Sequence, residues 1–343
     1  MQDRTDYLSG GAENAEANAA ETAVQTGGGE INGIFSAKEI LKKQKHHHHE
    51  KRSPIFTVLW VIVFVLVSVW TVSLLYSLFW MLAGSLKDNY DFYFNKFGFP
   101  EFDLIAWDNY ALAFNNLYVT TYPASGIRNV YFEELLFNTL YITLVSAFLS
   151  VFVPAIMAYV SAKYHFWFNK VIHFIVVFSI VVPIGNTLSS MLQVMQAVGL
   201  YDNMFLGTII LRCGFIGTNF LYMQSAFKGV SDDYMDAAFI DGAGHFRVLF
   251  LIMFPMIKNV FMMFFLLQLI AWWNTWDFTL IYMPTHPNFA QAVYNVQFST
   301  EPALQDKPVQ LAVGIFVMLP AFALFFVFRK SIMQQVSFGG LKG

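Results

Sequence analysis

Of 343 residues, 57% are hydrophobic, 18% aromatic and only 13% charged. That balance is too apolar for a soluble chain of this length, so a bilayer must be the solvent. The formal net charge is only -3, although acids outnumber bases over the first 30 residues, and neither a basic stripe for nucleic acid nor an acidic solvating block accompanies it.

Residues 1–52 are rich in Ala, Glu, Gly, Asn and Gln, with almost no large apolar side chains. They read as a disordered tail. Within them, His46 to His49 form a short tract of a metal-binding type, but without a folded partner it reads as a polar filler or an expression remnant. No cleavable leader is expected, because the first apolar run starts only near Ile55, is too long for a signal segment and lacks a small-residue cleavage site.

Six runs are long and apolar enough to cross a bilayer: 55–85, 136–162, 167–190, 204–226, 249–282 and 308–329. Lys and Arg set the orientation. Lys38, Lys42, Lys43, Lys45, Lys51 and Arg52 precede the first run, Lys163 and Lys170 separate the second and third, and Arg329 and Lys330 follow the sixth. Both termini are therefore expected in the cytoplasm, with 53–329 as the membrane domain and 330–343 as a cytoplasmic tail. The segment 86–135 carries few cations and many aromatic and turn residues, and is expected to fold as a small external cap. The single cysteine, Cys213, excludes an intrachain disulfide and CxxC metal chemistry; in its apolar run it reads as a buried small residue. Beside it, Arg212 lies among Ile209, Ile210, Leu211 and Phe215. A cation at that depth costs roughly 2.5–3.5 kcal/mol on insertion scales, so it must face water, an anion or a partner group.

The loop 228–247 falls between the fourth and fifth runs, hence in the cytoplasm. Ser231 is placed to cap a short helix, with Asp232 and Asp233 in its first turn. Gly242 and Gly244 are expected to stop it. Ala237 and Ala238 form a shallow surface flanked by Met235, Phe239 and Ile240, which suits either docking of another protein or an ordinary interfacial helix.

The spacing in this loop resembles the permeases of binding-protein-dependent ABC importers, in particular the carbohydrate branch. That family's pattern is Glu-Ala-Ala, three residues, Gly, nine residues, Ile, one residue, Leu-Pro. Here Asp236-Ala237-Ala238, Gly242, Ile252 and Phe254-Pro255 keep every spacing, with Asp for Glu and Phe for Leu. Phe137-Asn138-Thr139-Leu140, Ala158-Tyr159, Gly199-Leu200, Trp273-Asn274 and the ending Gly339-Gly340-Leu341-Lys342-Gly343 resemble the family at matching places. The ending favours sugars over phosphate, amino acids or polyamines.

The resemblance implies an all-α permease fold of six transmembrane helices in a bacterial plasma membrane. It implies four partners besides the lipid: a second permease, two cytoplasmic ATPase subunits and an external solute-binding protein. The chain itself is not expected to be an enzyme or to need a cofactor or metal, since no Walker A sequence, nucleophile-base spacing or zinc signature is present. A non-sugar solute is the alternative substrate. An ion-coupled secondary transporter is the alternative mechanism, which the scarcity of intramembrane carboxylates disfavours.

Under that resemblance, Asp236, Ala237, Ala238, Phe239, Ile240, Gly242 and Gly244 form the helix that couples to the ATPase, with Pro255 stiffening the path into the fifth span. Trp273, Trp276, Asp277 and Leu280 would share one helical face, with Asn274 beside it. Such a face suits a weak sugar site, because rings stack on sugar faces while Asn and Asp meet hydroxyls; interfacial or packing tryptophans are the other reading. Arg212 joins the pathway set, either as a contact to an acidic sugar or as a pair to a group across the permease dimer.

Overall fold

The computed structural model describes residues 54–101, 103, 105–182 and 187–336. The N-terminal tail with His46 to His49 and the ending Gly339 to Gly343 lie outside them.

Helix α1, Pro54–Ser85, is apolar all round. Up to Val72 almost every side chain is exposed, Trp60 and Trp70 among them. That is the signature of a lipid-facing span. Hydroxyls in this stretch turn back to the helix: Ser68 and Thr71 donate to the carbonyls of Phe64 and Val67, at 2.8 Å each, as apolar surroundings favour. After Ser73 the helix meets other parts of the chain. A Cβ on Gly84 would sit 2.7 Å from Leu311 Cδ1 and 3.3 Å from Phe92, so any larger residue would have to displace those side chains.

Between the first two spans the chain folds into α2 (Asn89–Phe94), α3 (Asp108–Asn116) and a hairpin of β1 (Val119–Thr121) against β2 (Arg128–Val130). Asp88 caps α2, accepting from Asp91 N–H at 2.6 Å. The fully buried Lys87 donates to the Asn95 carbonyl. Asn109 donates to the carbonyls of Ser85 and Lys87 at 2.9 and 2.7 Å. The aromatic richness of this stretch thus accompanies a folded module.

Helix α4, Phe132–Lys163, is the central element; α8 (Thr218–Lys228) and α11 (Phe254–Trp273) pack along it. Ala147, Ala155 and Ala158 on its buried face let the backbones come close. Pro154 cannot donate to the Ser150 carbonyl one turn back. The Asn219 side chain of α8 does so instead, at 2.7 Å.

The third and fourth apolar runs are not single helices. The third is α5 (Asn169–Val181) and α6 (Thr187–Ala197); the fourth is α7 (Met204–Arg212) and α8, separated by Cys213-Gly214-Phe215-Ile216-Gly217. Among the described residues, four helices are therefore long and apolar enough to cross a membrane unaided. The fifth run begins with α9 (Asp233–Ile240) before it, then α10 (His245–Val248), a π-turn at Leu249–Met253, and α11. It ends with α12 (Asp277–Tyr282); α13 (Phe289–Val296) and α14 (Pro302–Gln305) follow it, and α15 (Lys307–Val336) is the last described helix.

A buried polar network ties α4 to the turn after α12. Asn138 donates to the Pro287 carbonyl at 3.0 Å, Thr139 Oγ1 accepts from Phe289 N–H at 2.8 Å, and Asn288 donates to the Thr275 carbonyl at 2.7 Å. The Asn138-Thr139 pair that opens the second span thus fixes its register against distant backbone.

Candidate functional site

The loop between α8 and α11 forms the short helix its residues suggest, with shifted boundaries. Asp232 takes the cap position in place of Ser231. The Ser231 hydroxyl still accepts from Asp233 N–H at 3.3 Å and donates to its carboxylate at 2.8 Å. Gly242 stops the helix at φ +79°. Gly242 N–H donates to Phe239 and Ala243 N–H to Ala238, at 3.0 and 2.9 Å, the paired bonds of a Schellman stop. Gly244 does not end this helix; it precedes α10 with an extended backbone.

The two faces of α9 differ from the sequence expectation. Met235 and Ala238 point into the chain's own core, against Tyr159, Phe227 and Val248, with Phe239 half-buried beside them. The open face carries Tyr234, Asp236, Ala237 and Ile240, the last 86% exposed, and continues to Phe246. Ala238 and Met235 are thus supports, and Ala237 and Ile240 are available to a partner.

Lys163 holds this helix in place, a role its sequence position did not announce. At the last turn of α4 its side chain is 3% exposed. Its Nζ donates to the Val230 carbonyl at 2.5 Å and to Asp232 Oδ1 at 2.6 Å. Tyr164 adds a 2.8 Å hydrogen bond to His245 Nδ1, so the end of α4 grips the loop on both sides of α9. The hydrogen bond from Lys163, reinforced by its charge, holds the Asp232 carboxyl below the usual carboxylate range. A depressed carboxyl stabilises the fold above the unfolded value and loses that effect as pH falls through the lowered one. No pH dependence from this pair is expected above roughly pH 5. Lys163→Met should lower the melting temperature of the detergent-purified chain by roughly 5 °C. An unchanged melting curve would show that the grip contributes nothing.

Pro255 lies two residues past the end of the π-turn, with Phe254 between them. A proline ring crowds the carbonyl four residues back and offers it no N–H; the widened turn accommodates both defects.

The aromatic segment of the fifth run does not form one face. Helix α11 ends at Trp273, Asn274 takes the C-cap position at φ −90° and ψ 0°, and α12 starts only at Asp277. The periodicity that would align Trp273 with Trp276, Asp277 and Leu280 is broken between them. Trp273 is 3% exposed and packs in a core with Phe289 and Val309. Trp276 leaves in another direction and stacks on Tyr294, with centroids 4.0 Å apart and planes 9° apart. Asn274 is exposed, although its amide donates to the Ile270 carbonyl at 2.8 Å. Of these five residues only Trp273 is buried; Asn274, Trp276, Leu280 and the half-exposed Asp277 remain accessible.

Arg212 ends α7 at the break in the fourth run. Its guanidinium lies 3.7 Å from the centroid of Trp272 and 4.4 Å from that of Phe278. It borders a cavity of about 500 Å³ lined also by Thr218 and Gln268. Cys213 is exposed and lines the same cavity, contrary to its expected burial: the chain leaves helical geometry there. The glycines at 214 and 217 were the available signal for this break.

Residues 150–337 match the family described as binding-protein-dependent transport system inner membrane component. The chain is 25% identical over 272 residues to the arabinooligosaccharides transport system permease protein AraQ of Bacillus subtilis (strain 168), covering 78% of this chain and 91% of that protein. It is 28% identical over 219 residues to the maltodextrin transport system permease protein MdxG of the same organism, covering 62% and 78%. Among solved structures, a chain of a bacterial ABC transporter involved in the import of the acidic polysaccharide alginate has the same fold. The TM-score is 0.61 at 20% identity, over 82% of this chain and 99% of that one.

Proposed function

The chain belongs to the binding-protein-dependent transport system inner membrane component family, and from that premise we propose that it is the permease subunit through which an ATP-driven importer moves a sugar or oligosaccharide. It is a multi-pass membrane protein and not an enzyme; ATP is hydrolysed by partner subunits. A second permease, two ATPase subunits and an external solute-binding protein complete the importer. The substrates its relatives are named for, arabinooligosaccharides and maltodextrin, support saccharides as the cargo class.

The observation that carries the reading is the loop of Asp236, Ala237, Ala238, Gly242 and Pro255 on a short helix with one open face, Tyr234, Ala237 and Ile240. This helix docks on an ATPase subunit in the cytoplasm. Asp236 orients the contact through charge-assisted hydrogen bonds, Ile240 supplies burial, and Lys163 and the π-turn before Pro255 relay the ATPase's movement to α4 and α11. The distribution of Lys and Arg supports cytoplasmic termini, an external segment at 86–135 and a bacterial plasma membrane as the site. Trp276, Asn274 and Asp277 contribute to the solute path, where alternating access exposes the cavity first to one side and then to the other.

The test is uptake by proteoliposomes holding both permeases, the ATPase and the binding protein. Uptake of a radiolabelled oligosaccharide panel should require ATP inside the cell-side compartment and the binding protein opposite. Uptake that persists without ATP and follows an imposed ion gradient would replace this reading with secondary transport.

A further inference from the structure

We propose that the cavity at the break between α7 and α8 binds the carboxylate of an acidic saccharide, with Arg212 as the specificity-determining residue. The proposal rests on the saccharide-importer reading above.

Arg212 is positioned but not neutralised. The guanidinium carbon lies over the rings of Trp272 and Phe278, which orients a cation without cancelling its charge. No carboxylate among the described residues comes within 4.0 Å of it. Asp277 is within electrostatic reach but forms no ion pair. Its Nε is buried and has no hydrogen-bond partner. An unpaired cation at this depth is costly, so an anion that enters the cavity Arg212 lines is the economical completion.

The second half of the break adds to the same polarity. Helix α8 has 11 residues and starts from Gly217 at φ +150°, with no side-chain cap. Its first N–H groups are therefore not occupied by a capping side chain, and its residues Thr218 and Asn219 line the cavity with Arg212. A half-helix N-terminus at a break in a span favours negative charge. Gln268 and Thr218 line the same cavity and can hydrogen-bond the hydroxyls of a saccharide there. A volume of about 500 Å³ is within the range of small-ligand sites. A neutral sugar fills such a cavity but leaves guanidinium and helix end with weaker, uncharged acceptors. A uronate matches both.

The experiment uses the whole importer in vesicles of zwitterionic phosphatidylcholine, so that no anionic headgroup competes. Uptake of oligogalacturonate and oligomannuronate is compared with uptake of maltotriose and arabinotriose. The wild type should carry the uronates. Arg212→Gln should lower the uronate-to-neutral uptake ratio roughly 10- to 100-fold, and Arg212→Lys should restore part of it. Equal loss for both classes overturns the proposal, as does a wild type that carries only neutral sugars. Loss of the second permease on purification would assign Arg212 to a carboxylate of that partner instead, and also overturns it. A wild type that moves no saccharide at all would sink the importer reading itself. A readout that needs no substitution comes from Cys213, the chain's single cysteine, on the same cavity wall. In the intact wild-type importer an anionic methanethiosulfonate should modify this chain faster than a cationic one, and oligogalacturonate should slow the reaction. Equal rates without protection would leave the cavity without anion preference and the proposal wrong.

Discussion

Gly242→Val is expected to leave a folded membrane chain whose ATPase partners no longer drive uptake. The reason is conformational and not steric. Position 242 sits at φ +79°, and a Cβ there would meet nothing within 4 Å. The whole penalty is therefore the left-handed backbone itself, about 1–2 kcal/mol for a residue with a Cβ and more for a branched one. That shifts the balance between the Schellman stop and other exits by roughly tenfold or more. The bonds from Gly242 and Ala243 back to Phe239 and Ala238 then no longer fix where α9 ends and where α10 begins. Substrate-stimulated ATP hydrolysis and uptake should fall together, while the yield of the membrane chain changes little. Gly242→Asn is the informative control, because asparagine tolerates this region better than other side chains and should retain most of the uptake. Wild-type uptake and ATPase co-purification in the valine variant would show that the loop's geometry does not carry the coupling.

What could be read from residues alone divides along the same physical line. Gly242 was legible because one residue type answers a positive φ, and the second span's Asn138-Thr139 was visible as a pair. The direction of each alanine in α9 was not legible. The helix spans only Asp233–Ile240, and apolar residues occur on both of its sides, so the sequence carries no phase. Lys163 was read as an orientation signal, since its partners Val230 and Asp232 lie 67 and 69 residues away. The fifth-span aromatic face failed for a related reason. No glycine or proline marks the break after Trp273; Asn274 accepts the cap and Trp276 is drawn to Tyr294, contacts that periodicity cannot contain. The fourth-span break was the reverse case, with Gly214 and Gly217 in view but outweighed by the apolar run around them.

Arginine placed at two adjacent alanines should therefore produce two different failures. Ala238 is buried against Met235 and Tyr159 in the chain's own core. Ala238→Arg must displace those side chains or bury an unpaired charge, which costs several kcal/mol either way. The expected result is loss of the chain from the membrane fraction. Ala237, one residue earlier, is exposed. Ala237→Arg should fold, insert and pair with the second permease, yet fail to retain the ATPase, because a long cation on a shallow face prevents close approach of a partner. Ile240, 86% exposed, measures the same contact more gently. Burying a side chain of its size contributes about 1.5–3 kcal/mol, so Ile240→Ala should weaken ATPase retention roughly 10- to 100-fold. Titration of purified ATPase against immobilised permease complex separates the cases. If Ala237→Arg and Ile240→Ala both bound the ATPase as the wild type does, the open face of α9 would not be the docking face, whatever happened to Ala238→Arg.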